Sequence, residues 1–185
     1  MAANSRPVDT GSAAPDFALP DGEGRVLRLS EARGSVGTLV AFICNHCPYV
    51  LHMRAELVRY AQDFAANGIK VVAINPNDPG AYPDETPQRI AEVARTLPFP
   101  YLVDASQDVA RAYDAACTPD LYLYDSGMRL HYHGRFDSSR PNAGVATGED
   151  LRAATWRLLG GQPAAEPQHA SVGCSIKWKP GTAPQ

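Results

Sequence analysis

The chain has 185 residues, enough for one domain that buries its own core. With 44% hydrophobic and 20% charged residues it has the balance of an ordinary soluble globular protein, and a net charge of −3 is too small to argue for a nucleic-acid or membrane-surface partner. Four cysteines in this length do not make a disulfide scaffold, and no stretch approaches the length of a transmembrane helix.

In chain order, residues 1–13 are small and polar, lack the apolar core of a secretory signal, and read as a disordered lead-in, which makes the cytosol the default compartment. Two short apolar runs around Asp21-Gly22-Glu23-Gly24 predict a hairpin, and Ser30 to Gly34 a turn. Thr38 to Ile43 is a buried-type strand that ends at Cys44-Asn45-His46-Cys47, and Pro48 opens a helix. Val50, Leu51, Leu57, Val58 and Phe64 are expected mostly on one face of that helix, which Asn67-Gly68 stops. Ile69 to Ile74 is a second buried strand. Thr86-Pro87 starts a helix carrying Ile90, Val93, Ala94 and Leu97, and Pro98-Phe99-Pro100 breaks it. A short strand at Tyr101-Leu102-Val103 and a brief helix over residues 107–115 follow, with Ser106 as cap. Residues 120–124 and 130–136 pair as an antiparallel hairpin, and a last helix ends at Gly160-Gly161. Strands alternating with helices and a closing hairpin imply an α/β domain over 14–161, a mixed sheet with helices on both faces. Residues 162–185, rich in proline and small residues, form a tail expected to pack on it.

The stretch with chemistry is the cysteine pair. A helix N-terminus offers unpaired N–H groups and a positive dipole end, both of which favour a thiolate, the nucleophilic form of cysteine. Half a zinc site is one competing reading, but no second C-x-x-C or C-x-x-H occurs, and His46 lies between the two sulfurs. A structural disulfide and a pair of inert thiols are the others. A pair that follows a strand and opens a helix in an α/β pattern favours redox chemistry over all three.

With Pro119 in Cys117-Thr118-Pro119-Asp120, the chain resembles the thioredoxin superfamily. Ala14-Pro15-Asp16-Phe17-Ala18-Leu19, Cys44-Asn45-His46-Cys47-Pro48-Tyr49-Val50, Gln107-Asp108-Val109-Ala110 and Gly173-Cys174-Ser175-Ile176-Lys177-Trp178-Lys179 narrow the resemblance. They point to a peroxiredoxin-like subgroup of alkyl-hydroperoxide-reductase or redoxin-like proteins. The resemblance implies a thioredoxin-like fold with an N-terminal hairpin extension and a cis Thr118-Pro119 bond facing the cysteines. It also implies thiol–disulfide exchange with Cys44, nearer the surface, as first nucleophile and Cys47 as the deeper second one. His46 stands where strongly oxidising C-P-H-C catalysts carry histidine, which implies a Cys44 pKa below the ~8.5 of a free cysteine. It implies as well a potential above the roughly −270 mV of thioredoxin. Pro48 supports the helix start, and Thr118 and Pro119 would offer backbone groups to an extended substrate. Substrates would be disulfide-bearing proteins or small thiols, with electrons from a reductant protein or low-molecular-weight thiol and no cofactor or resident metal.

The peroxidatic pattern P-x-x-x-[ST]-x-x-C fits neither cysteine: Val40 and Cys44 stand at its positions ahead of Cys47, Gly37 and Ala41 ahead of Cys44. A thiol peroxidase is therefore the alternative rather than the first reading. Metal binding or delivery is a further alternative, because His131 and His133 point the same way along one strand, although half-exposed sheet surface is the plainer expectation. Cys117 is either a thiol near the pair or a small buried packing residue. His52 is expected in solvent, and Arg135 and Arg140, near Asp137, on a solvated surface that could favour anions. In the tail, Trp178 is expected to anchor the chain, and Cys174 to be a possible third thiol near Cys44 or Cys117.

Overall fold

A computed structural model of the chain describes residues 2–184. A strand β1 (Ala2–Asn4) is followed by β2 (Ala18–Pro20) and β3 (Val26–Arg28), which form the predicted antiparallel hairpin with Leu19 opposite Leu27. The expected turn before the central strand is a short helix α1 (Leu29–Ala32) that buries Leu29 and Ala32. The central strand β4 (Gly37–Phe42) is buried at every position, as a strand apolar on both faces must be. Helix α2 (Pro48–Ala65) runs back along the sheet into β5 (Ile69–Asn75), with Gly68 between them at φ +79°, a conformation glycine takes without strain.

A 3-10 turn (Pro83–Glu85) and α3 (Pro87–Ala94) lead to β6 (Tyr101–Val103), and α4 (Asp108–Ala112) to β7 (Cys117–Thr118). The closing hairpin is β8 (Asp120–Asp125) with β9 (Leu130–Gly134), and α5 (Glu149–Leu159) and β10 (Val172–Ser175) end the chain. The main sheet has the order β6-β5-β4-β8-β9, parallel among its first three strands and antiparallel beyond β4. Alternating residues of β4 and β5 feed two cores. Leu39, Ala41, Val71 and Ala73 face α2, α3 and α5, while Val40, Phe42, Val72 and Ile74 face the N-terminal hairpin, α4 and the tail. Among the described residues, no helix is long and apolar enough to cross a membrane.

Three expectations change. Helix α2 buries Val50, Met53, Leu57, Tyr60 and Phe64, a single stripe at helical spacing, and this leaves Leu51 47% exposed. The start of the chain is ordered rather than a loose lead-in: Ala2 to Asn4 pair with Cys174 to Val172, and the Ser5 and Gly11 N–H groups donate to Ser171 O and Leu130 O. The tail does more than dock. Its strand β10 lies between β1 and β7 in a second, three-stranded sheet. Both termini lack a long apolar run, yet each satisfies its backbone groups on the other, a pairing that local composition does not encode.

Candidate functional site

The cysteine pair sits where β4 hands over to α2. Cys47 is the N-cap residue of α2 and Pro48 its first helical residue, where the missing proline N–H costs nothing. Both thiols converge on one residue of β7: the Thr118 hydroxyl lies 3.2 Å from Cys44 Sγ, and Cys47 Sγ lies 3.0 Å from Thr118 O. The Thr118-Pro119 bond is cis, as the resemblance implied. Neither sulfur is open to solvent, since Cys44 is 2% exposed and Cys47 0%.

The two sulfurs have opposite electrostatic surroundings. The hydrogen bond shared with Cys47, burial and the Glu85 carboxylate all push the Cys44 thiol up, well above the ordinary thiol range. Cys47 is pulled down to about 5: Cys44 donates to it, the Cys174 thiol and N–H face it, and so does the Val50 N–H in the first turn of α2. The Thr118 carbonyl, which accepts from the Cys47 thiol, opposes this ionisation. Of the two sulfurs Cys47 is nonetheless the more acidic, against the expectation of an acidic Cys44 near the surface. The physical causes are the hydrogen bond between the two thiols and burial, with the Glu85 carboxylate, a side chain distant in sequence, adding to both.

Glu85 is buried and carries no signal in its local sequence. Its carboxylate accepts from the backbone N–H groups of Asn45 and His46 at 3.0–3.1 Å and from Asn75 Nδ2 at 2.5 Å, and His46 Nδ1 bonds it as well. Asn75 Nδ2 also reaches the Tyr101 hydroxyl at 2.9 Å, which donates to Asn45 Oδ1 at 3.1 Å. The His46 ring stacks on Tyr82 with centroids 4.8 Å apart, so it serves the carboxylate rather than the sulfurs. Cys44, His46 and Glu85 each bring one donor atom within 4.8 Å of the others, a set that could hold a metal ion.

Residues 10–133 match the AhpC/TSA family. The chain belongs to that family. A thiol-disulfide oxidoreductase ResA of Geobacillus thermodenitrificans is 31% identical over 126 residues, which are 66% of this chain and 67% of that protein. An uncharacterized conserved protein of Geobacillus kaustophilus superposes with a TM-score of 0.94 at 48% identity, covering 98% of both chains. A hypothetical protein from Sinorhizobium meliloti 1021 gives 0.93 at 48% identity over 96% of this chain and 99% of its own. Strand β10 lies beyond the segment that carries the AhpC/TSA match.

The remaining candidates separate into near and far. Cys117 is fully buried, its Sγ 3.5 Å from Pro119 O, and burial pushes its thiol up, so it packs beneath the site. Cys174 is brought to the site, opposite Thr118 in the β10–β7 register and one place from Cys117, and its thiol and N–H bear on Cys47. Ile176 and Trp178 anchor the tail in the second core, with Arg111 5.8 Å above the Trp178 ring. His131 and His133 are buried at 8% and 6%, not half-exposed. The His133 ring bonds Asp120 Oδ1 at 2.9 Å and stacks on Tyr122, so it is committed to the core of the closing hairpin. His52 is half-buried against Ser139 Oγ at 2.8 Å rather than in solvent. Arg135 pairs through Nε with Asp150 at 2.6 Å, and Arg140 donates from one terminal nitrogen to Ser139 O at 2.6 Å. Asp137 is buried and accepts from Thr147 and Gly148 N–H at 2.7 Å, fixing the turn into α5.

Proposed function

We propose that the chain is a thiol–disulfide oxidoreductase working through Cys44 and Cys47. The observation that carries this reading is the pair itself: two thiols at one helix start, with Cys44 Sγ 3.2 Å from the Thr118 hydroxyl and Cys47 Sγ 3.0 Å from Thr118 O. The ResA relative supports the same class. Cys44 attacks a substrate disulfide while its proton passes along the shared hydrogen bond to the Cys47 sulfur. One substrate sulfur leaves as a thiolate, and a Cys44 mixed disulfide forms. Cys47 then attacks Cys44 Sγ, its proton goes to the departing substrate sulfur, and the Cys44–Cys47 disulfide remains. A reductant thiol closes the cycle. Trapping tests this. Cys47→Ser should accumulate a mixed disulfide on Cys44 with a disulfide-bonded protein substrate, and Cys44→Ser should not. Trapping by Cys44→Ser and none by Cys47→Ser would reverse the assigned order of attack.

Membership in the AhpC/TSA family favours thiol peroxidase activity as a second reading, tested by hydroperoxide consumption with the same two variants. The Cys44, His46 and Glu85 donor set favours a third, metal binding, tested by metal analysis of protein purified without chelator.

A further inference from the structure

A disulfide is opened by a thiolate approaching along the S–S axis, so access decides the rate as much as chemistry does. Here Cys44 and Cys47 are both buried, and Cys174 is a half-exposed thiol beside them. Its position is fixed by strand pairing: Cys174 stands opposite Thr118 and Ser175 opposite Cys117, on the residue that already holds both sulfurs. Gly173 makes the approach possible, because a Cβ there would sit 2.1 Å from Thr118 O and 3.0 Å from Pro119 N. The strap of residues 172–177 is pinned further on by the Lys177 N–H donating to Asn77 Oδ1 at 2.9 Å and by Ile176 in the second core.

We propose that Cys174 is a third exchange thiol, which takes the disulfide from the buried pair to the surface where an external thiol can reduce it. The proposal rests on the oxidoreductase reading above. In the first step the Cys174 thiolate attacks Cys47 Sγ. A Cys47–Cys174 bond forms, the Cys44–Cys47 bond breaks, and Cys44 takes up the proton that Cys174 gave up, with no net oxidation or reduction. A low-molecular-weight thiol then attacks Cys174 Sγ, forming a mixed disulfide there and expelling Cys47 as a thiolate. A second such thiol attacks its sulfur in that bond, leaves as the small-molecule disulfide, and returns Cys174 to the thiol. Two external thiols have been oxidised and one protein disulfide reduced.

The local chemistry suits each step. Cys47 is the N-cap residue of α2, whose unpaired N–H groups suit it as the leaving group when Cys174 is attacked. Burial and the neighbouring Cys47 sulfur push Cys174 up to about 11 in the reduced protein. Once Cys47 is in a disulfide its share of that penalty is gone, while the nearby Lys177 still favours the Cys174 thiolate.

The test is oxidation of the wild type, Cys44→Ser and Cys174→Ser with one equivalent of diamide, acid quenching and linkage mapping by mass spectrometry. Reduction of the oxidised proteins by glutathione is then timed. Cys44→Ser is expected to form a Cys47–Cys174 bond. Oxidised Cys174→Ser should be reduced more slowly than wild type, on the order of tenfold, because the attacked sulfur is then buried. The proposal is overturned if Cys44→Ser forms no such bond while the wild type still makes Cys44–Cys47, an outcome that leaves the oxidoreductase reading intact. Reduction of Cys174→Ser at the wild-type rate overturns it equally. A wild type that forms no bond among these three cysteines removes both readings together.

Discussion

The cysteine pair has two covers of opposite kind. Over Cys44 lies the turn that carries Glu85, a buried carboxylate fed by backbone and side-chain donors and charged against the sulfur. Over Cys47 lies the C-terminal strap, a strand that brings a thiol and an N–H as donors to the sulfur. Within one four-residue motif the first cover adds to what keeps Cys44 protonated, and the second brings donors that favour the thiolate of Cys47. Motif spacing alone therefore does not say which cysteine is the acid, because the bond between the two thiols, burial and the groups packed on each sulfur decide it together.

The largest effect that can be imposed on this asymmetry is removal of either sulfur. Cys44→Ser and Cys47→Ser should each drop disulfide reduction to the uncatalysed rate, and the ultraviolet thiolate band of the reduced protein near neutral pH should vanish only in Cys47→Ser. A band that vanishes in Cys44→Ser alone would place the acid on the other cysteine. Next comes the strap. Ile176→Ala removes a buried side chain beneath it and should cost about 2–5 kcal/mol in urea unfolding, as large-to-small core changes do. Alkylation of Cys47 in the native state should speed up with it, with Cys44 little changed.

Glu85→Gln breaks the other cover. The isosteric amide turns an NH2 group toward donors that need an acceptor, so a loss of about 1–3 kcal/mol is expected. With the charge gone, native-state alkylation should speed up at Cys44 while Cys47 stays as it was. Equal acceleration at both cysteines would show that the two covers are one unit.

A pH dependence tests the same asymmetry without a substitution at either cover. Between its folded pKa of about 5 and the ~8.5 of an unfolded cysteine, Cys47 binds fewer protons folded than unfolded. The reduced protein should therefore gain stability as pH rises through that window and lose this contribution as pH falls through 5. Cys44, shifted the other way, stays neutral in the fold and works against stability above ~8.5. Urea midpoints of reduced wild type and Cys47→Ser across the window give the comparison, and parallel curves would remove the assignment.

Much of the architecture was legible in the sequence because it is written in short-range terms. The apolar run ending at Cys44, the proline at the start of α2, Thr86-Pro87 and the turn residues of both hairpins each fix a local conformation through sterics and burial. The cysteine pair and Thr118-Pro119 were visible for the same reason, since their spacing relative to strand and helix ends is a local property. What only the tertiary structure decided is what faces the sulfurs. Glu85 is 41 residues beyond Cys44 and Cys174 is 127 beyond Cys47 in the numbering, and neither sits in a run whose periodicity points at the site. The order of the first residues was hidden likewise, because β1 and β10 satisfy each other's backbone across nearly the whole chain. Hydrogen bonds and charges act over a few ångströms of space, so long-range packing assigned the proton within a motif that the sequence had already placed.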